Sequence, residues 1–287
     1  MKYSENDLSQ VQGTKAPMET VAQRAYWNNR LRDNWGPHGV GALVYGRYYN
    51  AWLYKVRKNV FRRVVSRLDI DLSKSNILDV GCGTGFYIEQ WKKLRAGKLT
   101  GVDISDVSIT YLSREFPEVN FYRLDISEDI RPLTQGTFDI VSAFDVLFHI
   151  VNDDRYQEAL KNIYYLLRDG GYFLFSDNFL HGESKGYMDY WKGRSLSFIK
   201  AELERVGFRI ILRNPMFVLM NSPVDTKYSM VERWWEMLML PVRRIELAGF
   251  FIGGFVYPIE LLLIRLMQES PSTEIMICKK EGIRNQR

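Results

Sequence analysis

The chain has few cysteines, the residues that stabilise many secreted proteins through disulfide bonds. Its 287 residues include only two cysteines, Cys82 and Cys278. Two thiols cannot build a disulfide framework, and so small a number suits a reducing compartment. The first residues, MKYSENDLSQVQGTKAP, are polar and lack the apolar stretch of a secretory signal. We therefore expect a cytoplasmic protein with a loose N-terminal tail.

A strong excess of one charge is also missing. Lys and Arg number 39 against 34 for Asp and Glu, which leaves a net charge of +5. This excess is mild and dispersed, so it does not indicate a nucleic-acid partner. The helix expected at 52–68 is basic and contains no acid. A solvated face is the simpler interpretation of it, and contact with anionic lipid or a phosphate-bearing substrate is the alternative.

No apolar run is clearly long enough to cross a membrane. The charge-free run 247–259 is shorter than the roughly 20 residues that a span needs. Pro258, Glu260 and Arg265 also interrupt the apolar character of this region. We expect residues 246–267 to form a buried helix pair, with contact with a membrane surface or a true span as the alternatives.

What the chain does have is a regular alternation of short apolar runs with helical patterns, starting at residue 77. Such alternation predicts an α/β fold, a Rossmann-like doubly wound sheet. Two aromatic, helical segments do not fit it, and we expect them to be an N-terminal helical extension and a helical insertion before the last strand. The predicted strands are 77–80, 99–104, 119–124, 138–144, 172–176, 208–212 and 273–278.

These patterns predict three parts of the chain. Residues 1–70 form an N-terminal tail and helical cap, and residues 71–221 plus 271–287 form the cofactor-binding core. Residues 222–270 form a helical insertion, which we expect to act as a substrate lid. Both elaborations should meet over the acceptor pocket, because specificity usually lies in segments added to a common core.

The stretch ILDVGCGTGFY, residues 77–87, places three glycines directly after the first predicted strand. Gly81, Gly83 and Gly85 leave the backbone open to close approach by a ligand, and the following helix offers free N–H groups. Asp103 ends the second predicted strand, where an acid can accept hydrogen bonds from a ribose diol. The pattern indicates a nucleoside-containing ligand at this edge of the sheet.

Two details argue against a dinucleotide. The dinucleotide fingerprint is G-x-G-x-x-G, whereas here the third glycine comes one residue early and Phe86 fills its place. Asp79, just before the loop, would also repel a pyrophosphate. A ligand with a positive centre and a ribose fits better, and S-adenosylmethionine has both.

Five segments in register resemble the class I S-adenosylmethionine-dependent methyltransferases, of the small-molecule type, over about residues 75–215. The resemblance implies S-adenosylmethionine as the cofactor. The matching segments are LDVGCGTG (78–85), GVDIS (101–105), RLDI (123–126), FDIVSAFDVLFHI (138–150) and LLRDGGYFLFSD (166–177).

The resemblance assigns one group of residues to the methionine end of the cofactor. Gly81 and Gly83 would contact the methionine part, within the loop that Gly85 completes. Asp79 would orient that loop and the amino group, and the backbone near Phe144 would line the same end.

A second group would hold the adenosine end. Asp103 would bind the ribose hydroxyls, and Ile104 would pack on the adenine. Asp125 would accept a hydrogen bond from the adenine amino group, with Ile126 beside the ring. The alternative for Asp125 is a role as a helix or turn cap.

Methyl transfer to a hydroxyl needs a base with a suitable pKa. His149, after the fourth strand, is our first choice for this catalytic base, and His181, after the fifth, is the second. His38 in the GPHGVG loop is a weaker candidate. The simpler interpretation of His149 is a packing or cofactor-contact residue.

We predict no metal. Some related O-methyltransferases place an acid at the end of the fourth strand and Asp-Asn after the fifth. Asp177 and Asn178 match, but Phe144 stands at the first position and Asp145 comes one residue late. A shift of one residue turns a strand side chain to the other face.

The resemblance and the elaborations together predict methylation of a small-molecule acceptor, at a hydroxyl of a sugar or a secondary metabolite. One alternative is methylation of a lipid-linked or quinone-like substrate at a membrane surface, which would bring peripheral membrane contact. Another is a cofactor-binding regulatory protein without turnover. We expect a small-molecule partner and no nucleic acid.

Overall fold

The computed structural model describes residues 20–188 and 190–281. The predictions about the N-terminal tail and about residues 282–287 therefore lie outside the described residues. The helices are α1 (Thr20–Asp33), α2 (Pro37–Val40), α3 (Gly46–Val65), α4 (Phe86–Lys93), α5 (Asp106–Glu115), α6 (Asp153–Leu166), α7 (Leu196–Val206), α8 (Ser229–Arg244) and α9 (Glu246–Leu266). The strands are β1 (Asn76–Val80), β2 (Lys98–Asp103), β3 (Asn120–Arg123), β4 (Phe138–Phe144), β5 (Leu167–Asp177), β6 (Lys185–Met188), β7 (Trp191–Gly193), β8 (Phe208–Pro215) and β9 (Glu274–Lys280).

Seven strands form one twisted sheet in the order β3-β2-β1-β4-β5-β9-β8. Strands β1 to β5 pair in parallel, and β9 runs antiparallel to both β5 and β8. The chain moves outward from β1 to β3 and then returns to β4, so the order reverses between β1 and β4. This arrangement confirms the prediction of a doubly wound sheet with added N-terminal helices and a helical insertion.

The central strands are buried on both faces, as their continuous apolar character requires. Ile77, Ile140 and Leu174 point into one core layer, together with Trp91 of α4. Their chain neighbours point into the opposite layer, against α6 and α7. Two layers of helices therefore hold the sheet, and they leave its strand ends open for a site.

The insertion packs against α3 rather than inside the core. Helix α9 buries Gly249, Gly253, Val256, Glu260 and Ile264, which form one stripe along it. A Cβ at Gly253 would collide with Trp52 of α3, so the glycine permits close packing of the two helices. The opposite side of α9 is exposed, which corrects the expectation of a buried helix pair. By length and composition alone, α9 could also cross a membrane.

Candidate cofactor and acceptor site

A cavity lies at the carboxyl ends of β1, β2 and β4, where the strand order reverses. It encloses about 1000 Å³ of space, part of which is open to solvent. This is the position at which open α/β sheets bind ligands. The predicted site residues in its wall are Gly81, Gly83, Asp103, Ile104, Asp125, Ile126, Phe144 and His149. Asp79 and Gly85 lie behind that wall.

The glycine loop brings backbone to the cavity. Gly81 has a φ of 66°, a conformation that residues with a side chain rarely adopt, and a Cβ there would collide with Val146. Its N–H donates to the carbonyl of Val102 at 2.7 Å, which ties the loop to β2. Gly85, with a φ of 80°, starts α4 against Leu112. The loop therefore needs glycine both for its conformation and for its packing.

Asp103 both shapes the loop and faces the cavity. Its Oδ2 accepts from the N–H of Gly83 and its Oδ1 from the N–H of Ser105, each at 2.8 Å. Burial raises the pKa of this carboxyl, and the backbone hydrogen bonds partly oppose that shift. Each carboxylate oxygen has a second lone pair, so Asp103 can still accept hydrogen bonds from a ribose.

Asp79 is buried at the end of β1 and accepts a hydrogen bond from Ser142 Oγ at 2.7 Å. The pKa of its carboxyl is raised to about 7, chiefly by burial; the hydrogen bond from Ser142 opposes this shift and the nearby charge of Asp103 adds to it. A cation in the cavity would stabilise the ionised form of this group.

Affinity for S-adenosylmethionine should therefore rise with pH up to about 7. Below that pKa, Asp79 holds a proton that binding of the cationic sulfonium must displace. Each pH unit below the pKa then weakens binding by up to about tenfold. Calorimetric dissociation constants across this range test it, with Asp79→Asn as the matched variant. A parent profile as flat as that of the variant would contradict the prediction.

The adenosine end combines apolar walls with one acid. Ile104, Leu124 and Ile126 supply the apolar surface. Asp125 lies in the wall, but its Oδ1 also caps the turn at Ser127 and its Oδ2 pairs with Arg155 at 2.7 Å. The structure thus gives Asp125 the cap role that the sequence left as an alternative, and it keeps the residue at the cavity.

His149 ends a 3₁₀ turn after β4 and is half-buried among aromatic rings. Its Nδ1 lies 2.7 Å from the carbonyl oxygen of Tyr190, so this nitrogen carries the hydrogen and donates it. The ring of Trp27 lies 5.0 Å away, edge to face. Burial lowers the pKa of His149 to about 4, against a smaller opposite effect of the Tyr190 carbonyl. His149 is therefore neutral at pH 7, with Nε2 as its accepting nitrogen.

The other two histidines lie elsewhere. His181 is half-exposed and pairs with Asp225 and Glu269, outside the cavity wall. His181 does follow the end of the fifth predicted strand, as expected, but its side chain does not line the cavity. The structure therefore does not support His181 as the second choice of catalytic base. His38 does not line the cavity either. The residue of α2 in the cavity wall is Val40.

The cover of the cavity comes from the N-terminal helices. Gln23, Trp27 and Leu31 line it from one side of α1. Gln23 Nε2 donates to the carbonyl of His149 at 2.9 Å, which fixes the cover to the loop after β4. The lining residues in the described chain include none from 222–270. The expectation that the insertion closes over the pocket is therefore wrong, because α9 uses its buried stripe to pack on α3.

One wall is aromatic and carries an ion pair that the sequence did not reveal. Phe144 stacks on Tyr87 with ring centroids 4.1 Å apart, and Tyr54 of α3 packs edge-on against Phe86. Asp145, next to Phe144, has a φ of 58° and pairs with Arg57 of α3. The basic composition of residues 52–68 was the only sequence signal for Arg57. Composition does not show which of the basic side chains in that segment packs against Asp145.

The donor set does not suggest a metal. Within residues 20–188 and 190–281, no group of three or more His, Cys, Asp or Glu side chains is placed to hold one. Asp177 is fully buried at the end of β5, and its Oδ1 accepts from the N–H of Asn178. These two residues act here as a strand end and turn.

The wall fits an adenosylated amino acid. It offers an apolar surface for a nucleobase, the carboxylate of Asp103 for a ribose, and accessible backbone at the glycine loop. Thr84 Oγ1 is buried in that wall without a hydrogen-bond partner in the described chain, so a polar ligand group could satisfy it. Fold and cavity together define an α/β domain that binds a nucleoside-containing cofactor.

Comparisons with known proteins agree with this class. Residues 77–171 match the family model of a methyltransferase domain. The mouse protein named arginine-hydroxylase NDUFAF5, mitochondrial, is 31% identical over 121 residues, 42% of this chain and 34% of that protein. The tRNA U34 carboxymethyltransferase of Idiomarina loihiensis is 29% identical over 171 residues, 53% of this chain and 50% of that protein.

Among solved structures, magnesium protoporphyrin IX methyltransferase (ChlM) from Synechocystis PCC 6803 with bound S-adenosylmethionine has a TM-score of 0.54 at 15% identity. The likeness covers 93% of this chain and 100% of that one. These comparisons support a class I S-adenosylmethionine-dependent methyltransferase that uses S-adenosylmethionine as its cofactor, and the family match itself covers residues 77–171. The chain spans about a third to a half of the curated relatives named above, and their names describe different substrates.

Proposed function

We propose that the chain methylates a hydroxyl of a small molecule with an apolar or ring-shaped part, such as a sugar unit or a secondary metabolite. One observation carries the proposal: a single cavity runs from the glycine loop to the aromatic wall of Tyr54, Tyr87 and Phe144. An acceptor ring held on that wall would lie beside the methionine end of the cofactor. The mild net charge of +5 favours a small acceptor over a nucleic acid.

When bound, S-adenosylmethionine supplies an electrophilic methyl group on a cationic sulfur. The residues of this chain would position the acceptor and receive its proton, and the cover formed by α1 would exclude water. As the new O–C bond forms and the S–C bond breaks, the hydroxyl proton would pass to Nε2 of His149. Positioning of the acceptor is expected to supply much of the rate.

A turnover assay tests the activity. The chain is incubated with methyl-labelled S-adenosylmethionine and panels of sugars, phenols and reduced quinones, and both the demethylated cofactor and the labelled product are followed. We expect label on oxygen. Label on nitrogen or carbon would contradict O-methylation. Tight cofactor binding without turnover on any panel would favour the alternative of a regulatory protein.

Asp103→Ala should weaken cofactor binding by about 1.5–3 kcal/mol, the range for lost hydrogen bonds to a charged group. The variant removes the ribose acceptor and also the hydrogen bond to the N–H of Gly83. Calorimetry measures the effect, with Asp106→Ala as an exposed control a few residues away. Equal affinity of the Asp103 variant and the parent would rule out the ribose assignment.

A second candidate is a lipid-linked or quinone-like acceptor reached from a membrane surface. It is supported by helix α3, which lines the cavity through Tyr54 and packs on the other side against the apolar helix α9. Turnover of such substrates that depends on detergent or vesicles would favour it over a water-soluble acceptor. We propose a cytoplasmic location for the chain, with peripheral contact with the membrane under the second candidate.

A further inference from the structure

Helix α9 has an outward side that is wholly apolar over most of its length. Leu247, Phe251, Phe255, Leu262 and Leu266 recur there at helical spacing, and each is 56–75% exposed. No charged residue stands between Leu247 and Ile259 in the sequence. Exposed apolar patches of this kind on a folded domain mark interaction sites.

Helix α8, which precedes α9 and contacts it, carries a second set of exposed apolar residues. Met230, Trp234 and Met237 lie on one side of it and are 56–78% exposed. Its other side buries Trp235 and Met239 against the domain. We call the five α9 residues and these three α8 residues the apolar face. Since both helices already use their opposite sides for packing, neither can turn the apolar face inward.

Cations border the apolar face, chiefly on helix α3. Arg47, Lys55 and Arg62 are exposed there, and α3 contains no acid. The Lys55 ammonium lies 3.5 Å from the centre of the Trp52 ring, and the Trp52 indole N–H donates to the carbonyl of Phe250 at 3.0 Å. This chain of contacts joins the basic side of α3 directly to α9.

On α8, too, the basic residues lie nearer the apolar face than the acidic residues do. Arg233 and Arg244 flank the exposed side of α8, while Glu232 and Glu236 lie toward its opposite side. Glu236 is also paired with Arg243.

One exposed acid, Glu246, begins α9 beside the apolar face and accepts a hydrogen bond from the N–H of Arg47. An apolar surface bordered mainly by cations complements an anionic lipid headgroup layer over an apolar interior.

We propose that the apolar face docks the chain on the surface of a membrane rich in anionic lipid, with α8 and α9 lying in the plane of the interface. The basic residues of α3 would meet the headgroups, and Trp234 would sit at the boundary between headgroups and acyl chains. This docking goes beyond methyl transfer and does not depend on which acceptor is methylated.

The packing of α9 argues against a span. The carboxylate of Glu260 is fully buried and accepts hydrogen bonds from the backbone N–H groups of Val218 and Leu219, at 2.7 and 2.8 Å. Crossing the bilayer would break these bonds and strip the buried stripe of α9 from α3. A second copy of the chain as occupant is less favourable, because it would bring like charges of the two basic borders together.

Vesicle co-sedimentation of the full chain tests the docking. We expect the parent to bind phosphatidylcholine vesicles containing phosphatidylglycerol, and to bind pure phosphatidylcholine at least about tenfold more weakly, with the anionic binding falling as salt rises. Phe251→Glu/Phe255→Glu should lower the anionic partition coefficient by at least about tenfold. Lys55→Glu/Arg62→Glu should lower it similarly while leaving the weak binding to the neutral vesicles unchanged.

The controls are substitutions on other surfaces. Tyr165→Ser, also exposed but on α6, and Lys98→Glu at the start of β2 should bind vesicles as the parent does. All variants should keep the parent's cofactor affinity, since the positions are exposed and lie outside the cavity wall. Bound chain should be released by alkaline carbonate.

Three results would overturn the proposal. The first is a parent that binds neither kind of vesicle, or a Phe251→Glu/Phe255→Glu variant that binds as well as the parent. The second is bound chain that resists carbonate, which would indicate a span. The third is a parent that sediments as a dimer without lipid and becomes a monomer on Phe251→Glu/Phe255→Glu, which would make the apolar face a contact between copies.

Discussion

Replacing His149 by alanine is expected to lower turnover by about 10²–10⁴-fold, the usual contribution of a general base, while cofactor affinity stays near that of the parent. A pKa of about 4 makes the imidazole a weak base in the free protein. So weak a base is sufficient nonetheless, because a hydroxyl oxygen that is being methylated becomes positively charged. Its proton is then far more acidic than that of an imidazolium, so transfer to His149 is favourable. The base needs only to be neutral, close and correctly oriented.

The orientation comes from the hydrogen bond between Nδ1 and the carbonyl of Tyr190. His149→Asn is therefore the matched control, since its amide can donate the same hydrogen bond but cannot take the proton. If His149 is the base, the asparagine variant loses as much turnover as the alanine variant. Recovery of turnover in the asparagine variant, or loss of cofactor affinity in both, would assign His149 a structural role instead.

The pH profile gives an independent measurement. The active form is the neutral imidazole, which is lost as pH falls through the pKa. Because burial lowers that pKa from 6.5 to about 4, the acid limb of turnover attributable to His149 should lie well below pH 6. A limb near 6.5 that disappears in His149→Asn would show that the acceptor or cofactor opens the site to water.

The sheet could be predicted because each of its signals is local. Apolar runs of strand length, glycines after the first of them, and an acid at the end of the second are all visible within a few residues. Gly81 and Asp103 are brought together by the pairing of β1 with β2, which the doubly wound order implies. The cofactor half of the site therefore followed from short-range pattern and topology.

The other half depends on which side of a helix faces which neighbour. Helix α3 presents Tyr54 to the cavity, Arg57 to Asp145 in the cavity wall, Trp52 to α9, and Lys55 to solvent. Aromatic and basic residues recur on all of these sides, so periodicity alone could not assign them. The insertion was misplaced for the same reason: its apolar content suggested burial, and only the glycine stripe shows that one side packs on α3.

Breaking the Arg57–Asp145 pair is expected to cost about 3–5 kcal/mol of folding free energy. The Arg57 side chain is only 11% exposed and that of Asp145 24%. Arg57 also lies 4.9 Å from the Phe217 ring centre. Loss of the carboxylate would leave this cation largely surrounded by apolar groups. The pair joins α3 to the loop after β4, so it also fixes the aromatic wall against the methionine end of the cavity.

A double-mutant cycle separates the pair from other effects. Asp145→Asn suits it, because asparagine tolerates the φ of 58° and can still accept the hydrogen bond that Ser176 Oγ donates to Asp145 Oδ1. Arg57→Met removes the cation but keeps a long apolar stem. In urea unfolding, we expect Asp145→Asn to be the more damaging single change, since it leaves the charge unpaired.

The double variant should lose about 1–3 kcal/mol less than the sum of the two single variants, which is the coupling expected of groups in direct contact. Turnover adds a second measurement: both single variants should raise the acceptor's Michaelis constant, because the wall that holds the acceptor loosens, while cofactor affinity changes little. Additive losses of stability would show that the two charges do not stabilise each other. An unchanged Michaelis constant in variants that remain folded would place the acceptor away from Asp145.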